Sequence, residues 1–358
     1  MNEWTLGITG GSGYLGSSLA MHLGKSFDIK LLDIRPPQHD VGENVSFQQC
    51  DVRDYNQVKN AVEDVDLVIH TSIIQIPAIT EQKRLAYEVN LRGTDNVCQA
   101  VDKSSRAKGM ILSGSWHTVG ERGLIGVIDE EFGFRPDKVE DRARLYVLAK
   151  MAQETMVRFH DEMSKKIFGI IRMGTILGEG MPDKTAANIF IENGLNGKPL
   201  TPFSHSMYRP ILYVDLNDTC VAYENLATKI IEETDRNKNN SLDHVFNLFW
   251  PKPINVYDLA VLVRNSIFKV SKGKIQPEII ITNTNQSTSY HEDDKKLIKV
   301  NITKALNVLN ITKLKSPKES IEAIVDSRFK AKAKVNTELS DKTDLTQIVS
   351  LALAAPIS

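Results

Sequence analysis

The stretch from Thr5 to Gly16, TLGITGGSGYLG, constrains this chain more than any other. Leu6 to Ile8 form a short apolar run, Thr9 ends it, and glycines follow at positions 10, 11, 13 and 16. The next residues, SSLAMHLG, carry apolar side chains at helical spacing. The stretch reads as a strand, a tight turn and a helix start. Gly11, Gly13 and Gly16 satisfy G-x-G-x-x-G, and Gly10, Gly13 and Gly16 satisfy G-x-x-G-x-x-G. In either frame a missing Cβ permits the turn, lets a pyrophosphate approach the backbone, and lets the helix pack closely on the strand. The helix N-terminus adds N–H groups and a positive dipole end. A second apolar run, Ile29 to Leu32, then closes on Asp33. A carboxylate about 20 residues past the glycines accepts from adenosine ribose hydroxyls, so the context predicts a dinucleotide site. The alternative for Asp33 is a surface acid at a strand end.

Strand and helix signals alternate through the first half. VSFQQCD (45–51), DLVIHTS (66–72), GMILSGS (109–115) and KIFGIIRMG (166–174) read as strands. The segments 54–64, 81–104 and 142–164 read as helices. Apolar strands alternating with helices predict an α/β, Rossmann-type, doubly wound parallel sheet covered on both faces. Ligands in such sheets bind beyond the carboxyl ends of the strands. After Gly174 the rhythm changes and Gly and Pro become frequent. This predicts a Rossmann domain over 1–174, with 208–252 returning to it. A smaller C-terminal substrate-binding domain is expected from 175–207 and 253–327. HVFNLFW (244–250) is a further strand, 253–268 and 316–329 are helices, and 235–241 and 282–296 are loops. The tail, 328–358, reads as a docking helix or a disordered end.

At 358 residues the chain is long enough for a large core. Its formal charge of −1 makes no electrostatic case for nucleic acid or an anionic membrane. No apolar run approaches the length of a membrane span, and the first strand begins almost at once, leaving no room for a signal peptide. Cys50, Cys98 and Cys220 are scattered, which suits a reducing cytoplasm and neither a disulfide framework nor a metal site.

Tyr146 and Lys150 form Y-x-x-x-K on the helix after the fifth strand, so the two share a helical face. A tyrosine hydroxyl titrates near ~10 and is a poor base at neutral pH. A nearby ammonium favours the phenolate, so the pair makes a proton shuttle to a hydroxyl or carbonyl. Lys150 could also reach a nicotinamide ribose. Spacing alone is cheap, because Tyr55 and Lys59 repeat the pattern beside the adenine side. Tyr146 is preferred because its strand ends in Ser113-Gly114-Ser115. Ser115 is the favoured partner for the reacting oxygen, with Ser113 the competitor.

With these residues in place the chain resembles the extended short-chain dehydrogenases/reductases, the NAD-dependent epimerase/dehydratase family, over roughly residues 4 to 327. The likeness rests on TGGSGYLG, Asp33, CDVRD (50–54), VIHTS (68–72), VNLRGTDNV (89–97), SGSWHTVG (113–120), Tyr146 with Lys150, IIRMGTILGEG and RPILYVDL. The resemblance implies that Gly10, Gly13, Tyr14, Leu15 and Gly16 hold the pyrophosphate. Asp33 would take the adenosine ribose, and Asp51 with Val52 the adenine. Thr71 and Ser72 would line the cofactor, Asn90 would support it, and Met173 would lie near the nicotinamide. Ser115, Tyr146 and Lys150 would form the catalytic triad. Arg209 matches an arginine that contacts the substrate diphosphate in nucleotide-sugar enzymes; its alternative is a structural ion pair. Asp33 would repel a 2′-phosphate and so favours NAD, although Arg35 could accommodate NADP. Members of the family dimerise through two long helices, here 81–104 and 142–164. Leu85, Val89, Val97, Met151 and Met156 would serve that seam or the sheet.

Departures from the family patterns narrow the reaction. Dehydratases carry Thr-Asp-Glu after the serine, and this chain has Trp116, His117 and Thr118 there, which disfavours dehydration. Sugar epimerases carry a small residue where Trp116 stands. The Ser-x-His-x-x-Gly arrangement resembles uronate dehydrogenases, and IIRMGTILGEG resembles hydroxysteroid dehydrogenases. His117 would bind a carboxylate, shuttle a proton, or simply hold a hydrogen bond behind the site. The charged loop 121–141 would cap the site, with Asp129 to Glu131 a solvated face. The reading is an NAD(P)-dependent epimerase or dehydrogenase acting on a hydroxyl of a sugar or nucleotide sugar. A non-catalytic dinucleotide-binding regulator on the same fold is the alternative of another class.

Overall fold

The computed structural model describes residues 3–233 and 240–334. Seven strands make one parallel sheet: β1 (Thr5–Thr9), β2 (Asp28–Asp33), β3 (Val45–Gln49), β4 (Leu67–His70), β5 (Gly109–Ser115), β6 (Ile167–Met173) and β7 (Val245–Leu248). Their order is β7-β6-β5-β4-β1-β2-β3, so the winding reverses between β1 and β4. This is the Rossmann-type α/β fold, and its switch point sits above the glycine turn.

Alternation along the strands builds two cores. Leu6, Ile8, Ile29, Leu31, Ile69 and Ile111 face α1 (Tyr14–Leu23) and α6 (Leu216–Glu232). Leu32, Val68, Met110, Leu112, Phe168 and Ile170 face α2 (Tyr55–Val62), α3 (Gly93–Lys103) and α4 (Arg144–Met163). Neighbouring residues such as Val68 and Ile69 therefore serve opposite layers, as a period of two requires. Each such side chain contributes ~1.5–3 kcal/mol on burial.

Above the carboxyl ends stands a second layer. α5 (Ala186–Leu195) packs on α7 (Val256–Val270), and Leu200 and Phe203 bridge to Ile279 and Thr282. Thr175–Leu177 runs parallel to Tyr213–Asp215, and Pro210–Ile211 antiparallel to Ile254–Asn255. The last described helix spans 317–334. Its Arg328 reaches Glu179 at 2.9 Å, Asn188 at 2.6 Å and Glu192 at 2.7 Å, tying this helix to α5. Most of the expected loop at 235–241, and the tail from 335 onward, lie outside the described residues.

Two expectations are corrected. The helix expected over 81–104 is broken into Ala78–Glu81, Lys83–Tyr87, a π turn at Glu88–Arg92, and α3. Gln82 leaves helical geometry (φ −122°, ψ 54°), which apolar spacing does not register. The acids 129–131 are not a solvated face throughout, because Glu130 is buried. Its side chain accepts from the Asn247 N–H at 2.8 Å, and its carbonyl accepts from Arg172 at 3.0 Å. Arg172 on β6 forms a buried two-pronged pair with Glu154 on α4, with contacts of 2.6 to 3.1 Å.

A buried polar pin crosses the sheet below the cavity. The Thr94 hydroxyl donates to the Asn90 carbonyl at 2.7 Å, so it accepts from His70 Nε2 at 2.8 Å and Gln153 Nε2 at 2.9 Å. His70 Nδ1 then accepts from the Thr9 hydroxyl at 2.6 Å. Burial, helped by the charge of Lys150, pulls His70 down to about 3, so the ring is neutral.

Candidate active site

A cavity of about 1260 Å³ runs along the carboxyl ends of the strands. One half is lined by Gly10, Gly13, Tyr14, Leu15, Gly16 and Asp33, continuing through Asp51, Val52, Thr71 and Ser72. Gly10 has φ +69°, and a Cβ there would lie 2.8 Å from the Ser72 backbone. A Cβ on Gly16 would meet the Gly10 carbonyl at 2.5 Å. The turn is therefore tighter at these two positions than any residue with a Cβ permits, and α1 starts directly from it. Asp33 accepts from the Ser12 N–H at 3.2 Å and the Arg35 N–H at 3.3 Å, so its carboxylate braces the turn it follows. Asp51 is held by Arg53, whose hydrogen bonds keep it below the usual carboxylate range.

Asn90 does not line this cavity. It is fully buried, and its amide closes on both backbone groups of Ile74, at 2.7 and 3.1 Å. It fixes the loop after β4 from behind, so direct support of a cofactor is corrected to support of that loop.

Ser115, Tyr146, Lys150 and Met173 all line the cavity. Lys150 is buried, and its ammonium donates to the Ser113 carbonyl at 2.6 Å. Burial pulls it down to about 7. The Tyr146 hydroxyl was expected to be lowered by this lysine. Instead burial raises it, and the opposing influence is the Ser115 hydroxyl. The Ser113 hydroxyl is committed to Tyr223 at 2.7 Å, which leaves Ser115 as the serine facing Tyr146. Tyr55 and Lys59 lie on α2 and do not line the cavity.

The far half is lined by Arg122, Glu140, Arg209 and Tyr290, with Trp116 and His117 at its border. Its organising residue, Glu121, was missed in the sequence because it sits in a charged loop. It is fully buried. One oxygen accepts from Arg209 at 2.6 Å and lies 3.5 Å from His117 Nε2; the other accepts from the Glu140 N–H at 2.9 Å. Burial alone would raise this carboxyl, but His117, Arg209 and the backbone together hold it below the usual range. His117 Nδ1 lies 3.2 Å from the Ser115 hydroxyl, and its ring meets Tyr146 edge-on at 5.9 Å.

Comparison with known proteins now bears on this site. The profile of the NAD dependent epimerase/dehydratase family matches residues 6–229. The chain belongs to that family. Among curated proteins it is 26% identical to short-chain dehydrogenase/reductase family 42E member 1 of Xenopus laevis, over 49% of this chain and 46% of the relative. It is 39% identical to the Danio rerio protein of that name, over 26% of this chain and 24% of the relative. A UDP-glucose 4-epimerase of Rickettsia bellii is 32% identical over 30% of this chain and 36% of its own length. The matches thus span about half or less of these relatives. Among solved structures, UDP-glucuronic acid 4-epimerase from Bacillus cereus, in complex with UDP-glucuronic acid and NAD, superposes with a TM-score of 0.70. It is 17% identical and covers 90% of this chain and 98% of its own. UDP-glucose 4-epimerase from Thermotoga maritima, with UDP-glucose, gives 0.71 at 17% identity, covering 91% and 99%. At such identity the likeness is one of fold.

Among the described residues no helix is long and apolar enough to cross a membrane, and no cluster of His, Cys, Asp or Glu could hold a metal.

Proposed function

We propose that this chain is an NAD(P)-dependent oxidoreductase of the epimerase type, acting on a hydroxyl of a sugar or nucleotide sugar through Ser115, Tyr146 and Lys150. The observation that carries the reading is that one cavity joins the glycine turn and Asp33 to these three residues. The tight turn and the brace from Asp33 fit a dinucleotide, and Asp33 favours NAD over a 2′-phosphate. When bound there, NAD supplies the hydride acceptor.

The Ser115 hydroxyl orients the reacting oxygen, and Tyr146 takes its proton as the adjoining C–H bond gives up its hydride. Lys150, anchored on the Ser113 carbonyl and pulled down to about 7 by burial, can take up or release a proton near neutral pH beside the phenol. An epimerase returns hydride and proton to the opposite face. Release of the oxidised product, a dehydrogenase, is the second reading. It is favoured by His117, which stands 3.2 Å from Ser115 and gives the proton a way out.

A second copy would dock on α4, where Leu145, Leu148, Phe159 and Met163 are exposed. Of the seam residues expected from sequence, Val97 and Met151 are buried within their own chain, while Leu85 and Val89 line the cavity.

Tyr146→Phe tests the reading. Turnover on UDP-glucose or another sugar found by screening should fall 10²- to 10⁴-fold with dinucleotide binding kept. Full turnover in that variant would refute the mechanism. Dinucleotide binding without turnover in the wild type would favour the non-catalytic regulator.

A further inference from the structure

Ser115, His117 and Glu121 stand in line behind the cavity wall. The Ser115 hydroxyl lies 3.2 Å from His117 Nδ1, and His117 Nε2 lies 3.5 Å from Glu121 Oε1. Hydride transfer through Tyr146 does not require a carboxylate behind this histidine. Glu121 is fixed in place, because the same oxygen accepts from Arg209 at 2.6 Å and the other accepts from the Glu140 N–H at 2.9 Å. Against the pull of burial, His117, Arg209 and the backbone hold its carboxyl below the usual range, so it is ionised. An ionised carboxylate only accepts, so it takes the Nε2 proton and leaves Nδ1 with a bare lone pair toward Ser115. The Ser115 oxygen already accepts from the His117 backbone N–H at 3.3 Å, and its own proton is free for Nδ1.

A hydroxyl, an imidazole and a buried carboxylate in that order are a nucleophile, its base and the group that orients the base. Ser113 cannot take the first place, since its hydroxyl is committed to Tyr223 at 2.7 Å. Tyr146 adds a fourth part. Burial raises its hydroxyl, against the opposing influence of Ser115, so it keeps its proton at neutral pH and can donate to a developing oxyanion. Ser115, His117 and Tyr146 all line the cavity.

We propose that Ser115, His117 and Glu121 form a second catalytic unit in this cavity, which hydrolyses carboxylic esters without a dinucleotide. Ser115 Oγ bonds to the ester carbonyl carbon while its proton passes to His117 Nδ1. Glu121 stabilises the imidazolium, and Tyr146 donates to the carbonyl oxygen as it gains charge. The bond from that carbon to the alcohol oxygen then breaks, and the leaving alkoxide takes the proton from His117. Water attacks the acyl group left on Ser115, and its proton travels through His117 back to the serine oxygen as the acid departs. Nothing is oxidised or reduced. Ser115 is only 5% exposed, so short acyl groups such as acetyl suit it. This activity goes beyond the hydride-transfer reading and shares only side chains with it.

The test uses the full chain without dinucleotide, with p-nitrophenyl acetate and a fluorophosphonate as probes. Wild type should release p-nitrophenolate about tenfold or more faster than Ser115→Ala. The fluorophosphonate should add to Ser115, located by peptide mass spectrometry. His117→Ala should be as slow as Ser115→Ala and recover about fivefold or more with added imidazole, a rescue that a merely structural histidine does not show. Glu121 positions the base, so Glu121→Gln should lower kcat about tenfold with KM unchanged. Three outcomes would each overturn the proposal: no adduct on Ser115, wild-type hydrolysis no faster than Ser115→Ala, or full activity in His117→Ala. Ser115→Ala removes a single hydroxyl, so that comparison decides even where His117→Ala does not fold. None of these outcomes touches hydride transfer, which stands or falls with NAD binding and Tyr146→Phe.

Discussion

Lys150→Met should stabilise the protein at low pH while removing its activity. Burial without a carboxylate partner pulls this lysine from 10.5 to about 7. That depression corresponds to ~5 kcal/mol of folding free energy lost to holding the ammonium indoors. The charge-assisted hydrogen bond to the Ser113 carbonyl, 2.6 Å long, returns about 2 kcal/mol of it. Methionine fills a similar volume without charge. At pH 6, below the folded value, the variant should therefore be about 3 kcal/mol more stable than the wild type. Between about pH 7 and 10.5 the unfolded lysine holds a proton that the folded one has released. Wild-type stability consequently rises with pH there, by about 1.4 kcal/mol per pH unit relative to the variant. Urea unfolding of both proteins without dinucleotide, at pH 6, 7.5 and 9, measures this directly. A variant less stable at pH 6, or two parallel pH profiles, would refute the reasoning.

Gly16→Ala should abolish dinucleotide binding and cost 1–3 kcal/mol, because its Cβ meets backbone on two sides of the turn; calorimetric titration with NAD and thermal unfolding would show it. Glu154→Ala leaves the Arg172 guanidinium buried without its carboxylate, and the urea midpoint should fall by the equivalent of 3–5 kcal/mol. Asp33→Ala removes the carboxylate that would repel a 2′-phosphate, so the ratio of NADP to NAD affinity should rise tenfold or more, about 1.4 kcal/mol, in paired binding titrations.

The sheet was legible because its signals are local and repeated: apolar runs of four to seven residues, each ended by a polar or glycine turn. The glycine stretch and the Tyr146–Lys150 pair were legible because each is a short-range pattern whose spacing alone fixes the side chains' relative placement. What escaped notice is long-range. Glu121 and Arg209 are 88 residues apart and meet only when the loop 121–141 folds over the strand ends. Glu130 looks like its solvated neighbours until Arg172 and Asn247 arrive from β6 and β7. Tyr290 sits in a polar loop whose composition says nothing of burial. The π turn around Asn90 carries the amide that holds Ile74, a tertiary contact that helical spacing does not register.

The pin of Thr9, His70, Thr94 and Gln153 has a mechanical consequence. It rivets the strand carrying the glycine turn to the helix carrying Tyr146 and Lys150, three residues from Gln153, with a neutral ring that has no charge to lose near physiological pH. The floor of the cavity therefore behaves as a single plate. A dinucleotide bound as proposed would stand in register with the phenol at the other end before any substrate arrives. Any adjustment that turnover needs would fall to the overhanging layer of α5, α7 and the loop bearing Tyr290, of which the Arg328 contacts hold α5 from the outside.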